Sequence, residues 1–261
     1  MNPLDMNSTN QGCPQVDRSL LLGFMLTSGN FFFRVRNGLF PLIFLALVLL
    51  TKPGLFLGNP ILDRIVMAIG MATALAGECV RLAVIGFAYI RRGGKDGRIY
   101  ARKLVVRGFY AHCRNPMYVG NFLITVGMSL IYGSLWVYVL VMPFFVFVYL
   151  SIVMAEEEYL FKQFGREYEE YTMRVNRFVP NFHGIHQSLA EFRFDWKKAL
   201  RKDYGTIFGL LSGMIFLNLW KTYHFHGREA RREEILLLLL LIPVVLFYGI
   251  VRYLKKSHRL D

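Results

Sequence analysis

The sequence predicts an all-α protein: a polytopic transmembrane helical bundle of about six spans, with a helical hairpin and a cytosolic amphipathic helix at its functional end. Three observations carry this. Hydrophobic residues make up 54% of the 261 positions, several apolar runs approach the 20 residues that cross a bilayer, and the lysines and arginines gather beside those runs. A net charge of +13 distributed in that way follows the positive-inside pattern and argues against a nucleic-acid partner. Cys13, Cys79 and Cys113 show no metal-ligand spacing and read as structural thiols, so no metal is expected.

Residues 1–37 form the first segment. Its start is polar, the apolar patch from Leu20 to Leu26 is short, and no small-residue cleavage site follows, so it does not read as a signal peptide. Phe31, Phe32 and Phe33 with Arg34 and Arg36 suggest an interfacial anchor. The core follows over residues 38–181. A first span is expected from Gly38 to about Leu57, with Lys52-Pro53-Gly54 as an early stop, and a second from Leu62 to about Ile90. Within the second, Glu78 and Arg81 share one helix face. They read equally well as a structural ion pair and as part of a site.

Residues 91–114 carry eight Lys or Arg and one acid, Asp96, which predicts a cytosolic loop. Gly93-Gly94 and Gly97 give it turn chemistry, but without a preceding strand they make no phosphate cradle. The hairpin spans Tyr118 to Tyr132, a Gly133-Ser134 break, and Leu135 to Ala155, with Pro143 expected to kink the return helix. From Glu156 an amphipathic helix is expected, because Leu160, Phe164, Tyr168, Tyr171 and Val175 repeat at helical spacing. Residues 182–261 form a C-terminal extension: an aromatic, basic linker, then two further spans near Gly205 to Trp220 and Ile235 to Tyr253.

Two segments suggest chemistry. In Arg114-Asn115-Pro116 the proline disfavours helix at Asn115 and leaves backbone groups and a helix N-terminus available to a ligand. Glu156, Glu157 and Glu158 sit where a membrane surface ordinarily favours basic residues, and three acids opposite a basic loop suit a cationic ligand. Each alone also reads as an ordinary helix boundary. A hairpin would bring the two to one membrane face.

The pattern Gly108-x-Tyr110-x-x-x-Arg114-Asn115-Pro116-x-Tyr118-x-Gly120, followed after the hairpin by Glu156-Glu157-x-x-Leu160-x-x-x-Phe164-Gly165-x-x-Tyr168-x-x-Tyr171-x-x-x-Val175 and Pro180, resembles the isoprenylcysteine carboxyl methyltransferase and phospholipid methyltransferase superfamily. The resemblance covers residues 107–180. It implies an integral membrane methyltransferase that binds S-adenosylmethionine at the cytosolic face and acts on a lipid or amphipathic small molecule. By position, Arg102, Lys103, Leu104, Val105, Tyr110, Asn115, Pro116, Met117, Tyr118 and Glu156 would form the cofactor pocket.

One departure concerns the acceptor. The prenylcysteine enzymes place an arginine for the substrate carboxylate four residues before the first glutamate, where this chain has Ile152. A side chain without charge makes no bidentate carboxylate contact, so the expected acceptor is a phospholipid amine or another small membrane lipid. A prenylcysteine would require Arg114 or Arg174 to supply the missing cation. If the nucleophile is an amine, Glu157 or a tyrosine is the candidate base. A nicotinamide-dependent membrane reductase and a non-enzymatic membrane scaffold or transporter are the alternatives from other classes.

Overall fold

The computed structural model describes residues 15–87, 92–95, 98–101, 103–190, 192–227 and 231–260. Six long helices appear where six spans were expected: α1 (Gln15–Leu50), α2 (Pro60–Phe87), α3 (Pro116–Tyr132), α4 (Met142–Phe164), α7 (Trp196–His226) and α8 (Arg231–Lys256). The shorter α5 (Arg166–Arg174) and α6 (Ile185–Ala190) lie between α4 and α7. Among the described residues, α2, the stretch Val137–Phe164 and α8 are long and apolar enough to cross a membrane on their own. Helix α3 is apolar but shorter. The exposed residues of α8 include Leu236, Leu239, Leu240 and Leu246, a surface suited to acyl chains rather than water. This is an integral membrane protein.

Helix α2 is the hub, and glycine makes it so. Gly70 and Gly77 on α2 face Gly127 and Gly120 on α3, seven residues apart on each helix. A Cβ on Gly77 would stand 2.6 Å from the Gly120 carbonyl oxygen, and one on Gly70 would stand 2.8 Å from that of Gly127. In a bilayer, where apolar surface alone gives helices little reason to associate, such close backbone approach is what packs them. Ala74, fully buried, lies between the two crossings. Gly133, in the left-handed region at φ 73°, then ends α3 by donating its N–H to the Ser129 carbonyl. This places the break of the hairpin where the sequence has Gly-Ser.

Several expectations need correction. Residues 20–36 form no separate surface anchor. They continue into the span as one helix, α1, of 36 residues, in which Phe33 is buried and Gly29 abuts the Ser151 backbone of α4. The first span stops at Leu50 rather than near Leu57, because Pro53 supplies no N–H to continue it; a short 3₁₀ turn, Phe56–Gly58, follows. The irregularity near Pro143 precedes it, as a π-helical turn over Val137–Val141, and the proline sits harmlessly in the first turn of α4. Helix α4 runs on through the three glutamates to Phe164. The amphipathic helix is therefore split: Gly165, at φ 51°, separates it from α5. Its apolar face is still real, since Leu160, Tyr168 and Tyr171 are buried together with Ala101.

The basic segment also holds structure that the sequence reading missed. β1 (Arg92–Lys95) and β2 (Arg98–Ala101) pair antiparallel, with Arg92 opposite Ala101 and Lys95 opposite Arg98. Gly93 and Gly94 lie within β1 rather than after a strand, so a phosphate cradle remains unsupported.

Candidate active site

The chain between β2 and α3 is tied down from several directions. A 3₁₀ turn over Gly108–Ala111 is entered through Gly108 at φ 61°, and Tyr171 of α5 donates its hydroxyl to the Tyr110 carbonyl at 2.7 Å. The Arg114 N–H bonds the Asn176 carbonyl and the Asn181 N–H bonds the His112 carbonyl. The segment after α5, the last stretch of the expected core, thus braces this turn. Cys113 points its thiol at the carbonyls of Arg177 and Phe178, and burial pushes that thiol up from its usual range, as suits a structural cysteine. Pro116 occupies the first turn of α3 with Asn115 as its N-cap.

The hairpin brings the two halves of the sequence pattern together. Tyr118 donates its hydroxyl to Glu156 Oε1 at 2.7 Å. The same hydroxyl accepts from Arg36 Nη1 at 3.1 Å, and Arg36 lies 3.8 Å from Glu156 Oε1. Beside this, Glu157 is buried and fully engaged. Its Oε1 accepts from Asn115 Nδ2 at 3.0 Å and faces Arg114 Nε at 3.5 Å; its Oε2 takes Arg177 Nε at 2.9 Å and Nη2 at 2.7 Å. A carboxylate held by two guanidinium groups and an amide is a brace for the turn, not a base open to substrate. That overturns the role considered for Glu157 from sequence.

Above these groups opens a cavity of about 1190 Å³, lined from α1, α2, β2, α3, α4, α7 and α8. Of the residues singled out by sequence, Tyr110, Arg114, Asn115, Met117, Tyr118 and Glu156 line it, as does Ile152. Pro116 and Glu157 support it from behind. Leu104 packs on the Leu160–Tyr168 cluster and Val105 on the Tyr110 cluster, both behind the lining, while Lys103 is exposed outside it. Arg174 is exposed in the last turn of α5 and does not reach the cavity, so it supplies no cation there. Arg102 lies outside the described residues.

Sequence reasoning missed Arg36, Tyr149 and everything that α7 contributes, and left Arg81 open between an ion pair and a place in the site. Tyr149 packs edge-on to Tyr118 and bonds Thr125. Arg81 fits both readings considered for it. It is locked by Asp203 of α7, by Asn121 and by Thr206, with Glu78 3.6 Å away, and it also lines the cavity. Only Arg36 stood next to a visible signal, its place beside three phenylalanines, and that signal was read as an anchor.

A polytopic helical membrane protein with a large, partly polar cavity at the mouth of a hairpin is the class these observations define. Residues 65–167, from α2 into α5, match the phospholipid methyltransferase family. Among curated proteins it is similar to a protein-S-isoprenylcysteine O-methyltransferase of Schizosaccharomyces pombe, 29% identical over 126 residues, which cover 46% of this chain and 53% of that one. It is also similar to the nickel-cobalt-cadmium resistance protein NccN of Alcaligenes xylosoxydans xylosoxydans, 31% identical over 78 residues, covering 30% of this chain and 36% of the other. The chain thus spans about half the length of the first relative and about a third of the second. No solved structure matches.

Proposed function

We propose that this protein is an S-adenosylmethionine-dependent methyltransferase that acts on a lipid-like, amphipathic acceptor from the cytosolic face of its membrane. The observation that carries the reading is the contact between Tyr118 and Glu156, thirty-eight residues apart in sequence, which joins the Arg-Asn-Pro turn to the glutamate pair on one cavity wall. The residues present fit the cofactor. Glu156 suits a cationic group, Arg36 and Arg114 suit a carboxylate, and the tyrosine faces of 110 and 118 suit a purine or a sulfonium. When bound, S-adenosylmethionine supplies an electrophilic methyl group. What the chain adds is alignment and exclusion of water: Arg36 and Tyr118 fix the Glu156 carboxylate, Glu157 fixes the turn, and Ile152 and Phe145 keep the adjoining wall apolar.

A second reading of the acceptor is favoured by a specific observation. Residues 135–155 carry no Lys or Arg, yet Arg36, Arg114 and Lys202 line the cavity from α1, the turn and α7. An acceptor carboxylate could be held there without an arginine at position 152. Radiolabelled S-adenosylmethionine offered with a farnesylcysteine analogue or with phosphatidylethanolamine separates the two: base-labile methyl ester on the first supports the carboxylate reading, and N-methylated lipid supports the amine.

Calorimetry on purified protein tests the cofactor itself. Wild type should bind S-adenosylmethionine and not reduced nicotinamide. Glu156→Gln and Tyr118→Ala should each weaken binding by roughly 1–3 kcal/mol, the cost of losing a charge-assisted contact or stranding its partner. Wild-type affinity in both variants would remove this pocket from consideration.

Sidedness has its own check, motivated by the basic segment and by the opposite placement of Gly133 at the far end of α3. Single cysteines at 97 and 170 should react with an impermeant reagent from the cytosolic side, and one at 135, exposed just past Gly133, from the other. Labelling of 97 and 170 from different sides would contradict a shared site.

A further inference from the structure

Beyond the polar cluster the cavity continues along a wall made by α7, outside the residues that match the family. Gly205, Gly209 and Gly213 recur one helical turn apart on this wall and all line the cavity. A Cβ placed on Gly205 or Gly209 would meet nothing within 4 Å, whereas one on Gly213 would stand 2.8 Å from Met128 Cε. The space is therefore open for two turns of α7, about 12 Å, and closes where Gly213 meets Met128. Ile124 of α3 and Leu210, Phe216 and Leu241 of α7 and α8 complete its sides.

The dimensions and lining say what fits. A volume of about 1190 Å³ exceeds the roughly 300–1,000 Å³ that one small molecule ordinarily occupies, so the cavity has room for a second occupant. Around Gly209 and Gly213 most of the lining is apolar, with Thr125 and Ser212 among it, and unpaired polar groups of a ligand would be costly there. A glycine inside a helix also costs about 1 kcal/mol relative to alanine, and at 205 and 209 no neighbouring helix takes advantage of the missing side chain. The space beside Gly205 and Gly209 is left open along one helix face and is closed at Gly213 by Met128.

We infer that this slot takes the hydrocarbon chain of the acceptor, which is a single-chain amphiphile with its head at Tyr118 and Glu156 and its tail along Gly205 and Gly209 of α7. The inference rests on the methyl-transfer reading for the word acceptor, but the slot can be tested without turnover.

The full-length protein in nanodiscs of diacyl phosphatidylcholine would be photolysed with a palmitoyl-length fatty acid bearing a mid-chain diazirine, and the labelled peptides mapped by mass spectrometry. Labelling should saturate, fall on residues 205–213 and on Met128, and be displaced by a single-chain lysolipid despite the excess of two-chain lipid. Gly209→Leu should reduce it about tenfold or more. Gly249→Leu, the same change on α8 where a Cβ also meets nothing within 4 Å but outside the cavity lining, should leave it unchanged. Labelling that does not saturate, or that survives Gly209→Leu, would overturn the slot. Calorimetry with S-adenosylmethionine on the same samples separates the two readings. Cofactor binding that persists while labelling fails sinks the slot alone. Specific labelling in a protein that binds no cofactor would overturn both the acceptor assignment and the methyl-transfer reading.

Discussion

Gly127→Leu should abolish the folded protein. A Cβ at this position would stand 2.6 Å from the Ala74 Cβ and press on the Gly70 carbonyl oxygen and the Ala74 nitrogen as well. Two of these three atoms are backbone, so no rotamer change relieves the clash and α3 must move away from α2. Overpacking in a yielding core costs about 1–3 kcal/mol. Here the backbones themselves must part along the glycine-to-glycine crossings, and about 4 kcal/mol or more is expected. Since α3 carries Tyr118 at one end and Met128 at the other, the cavity would be lost with the interface. Fluorescence-detected size exclusion after detergent extraction should show aggregated or degraded material. Gly249→Leu, which meets open space, should elute as wild type. A monodisperse Gly127→Leu protein with wild-type melting would mean that α2 and α3 are not packed through these glycines.

How much of this was legible beforehand divides along the range of each interaction. The spans were visible because hydrophobic runs bounded by Pro, Gly and charge are local signals. The joining of the Arg-Asn-Pro turn to Glu156 was visible because a hairpin in a bilayer allows its two open ends little choice of place. Arg36 was invisible as a site residue for the opposite reason: it reaches Tyr118 across eighty-two positions, and nothing local distinguishes an arginine at the end of an aromatic cluster from an interfacial anchor. The same holds for Glu157. Its neighbours in sequence made it a candidate base, while Arg177, which closes the cage around it, lies beyond α5 and twenty positions away. The glycine crossings were on the page as residues, but the pairing of 77 with 120 and 70 with 127 requires knowing which helix faces which. The split at Gly165 shows the limit of periodicity, since the apolar face persists across a break in the helix that carries it.

The C-terminal helices were the least legible part, and the second large effect is expected there. Lys221→Met should destabilise the protein by about 3–5 kcal/mol, the range for stripping a buried ion of its partner. Lys221 Nζ lies 2.7 Å from Asp63 Oδ1 and donates to the Ile131 carbonyl at 3.3 Å; both charged side chains are 7% exposed. In sequence, Lys221 falls just past the span expected near Gly205 to Trp220. Its true partner is 158 positions away, at the start of α2. The pair has a counterpart at the other end of the same two helices, where Arg81 of α2 meets Asp203 of α7. The members stand eighteen residues apart on each helix, 63 to 81 and 203 to 221, about 27 Å of helix, close to the thickness of a hydrocarbon core. Helix α7 is therefore pinned to α2 near both ends of the span, and between the pins lies the stretch that walls the cavity. Removing one charge leaves Asp63 buried with, among the described residues, the Phe56 N–H as its remaining hydrogen-bond partner. Removing both, as in Asp63→Leu/Lys221→Met, should recover most of the loss, because an apolar pair costs no desolvation. Thermal inactivation in detergent, read as a double-mutant cycle, measures this. A double variant no more stable than the Lys221→Met single would show that Asp63 and Lys221 act independently, and that α7 is held to the cavity by something other than its charges.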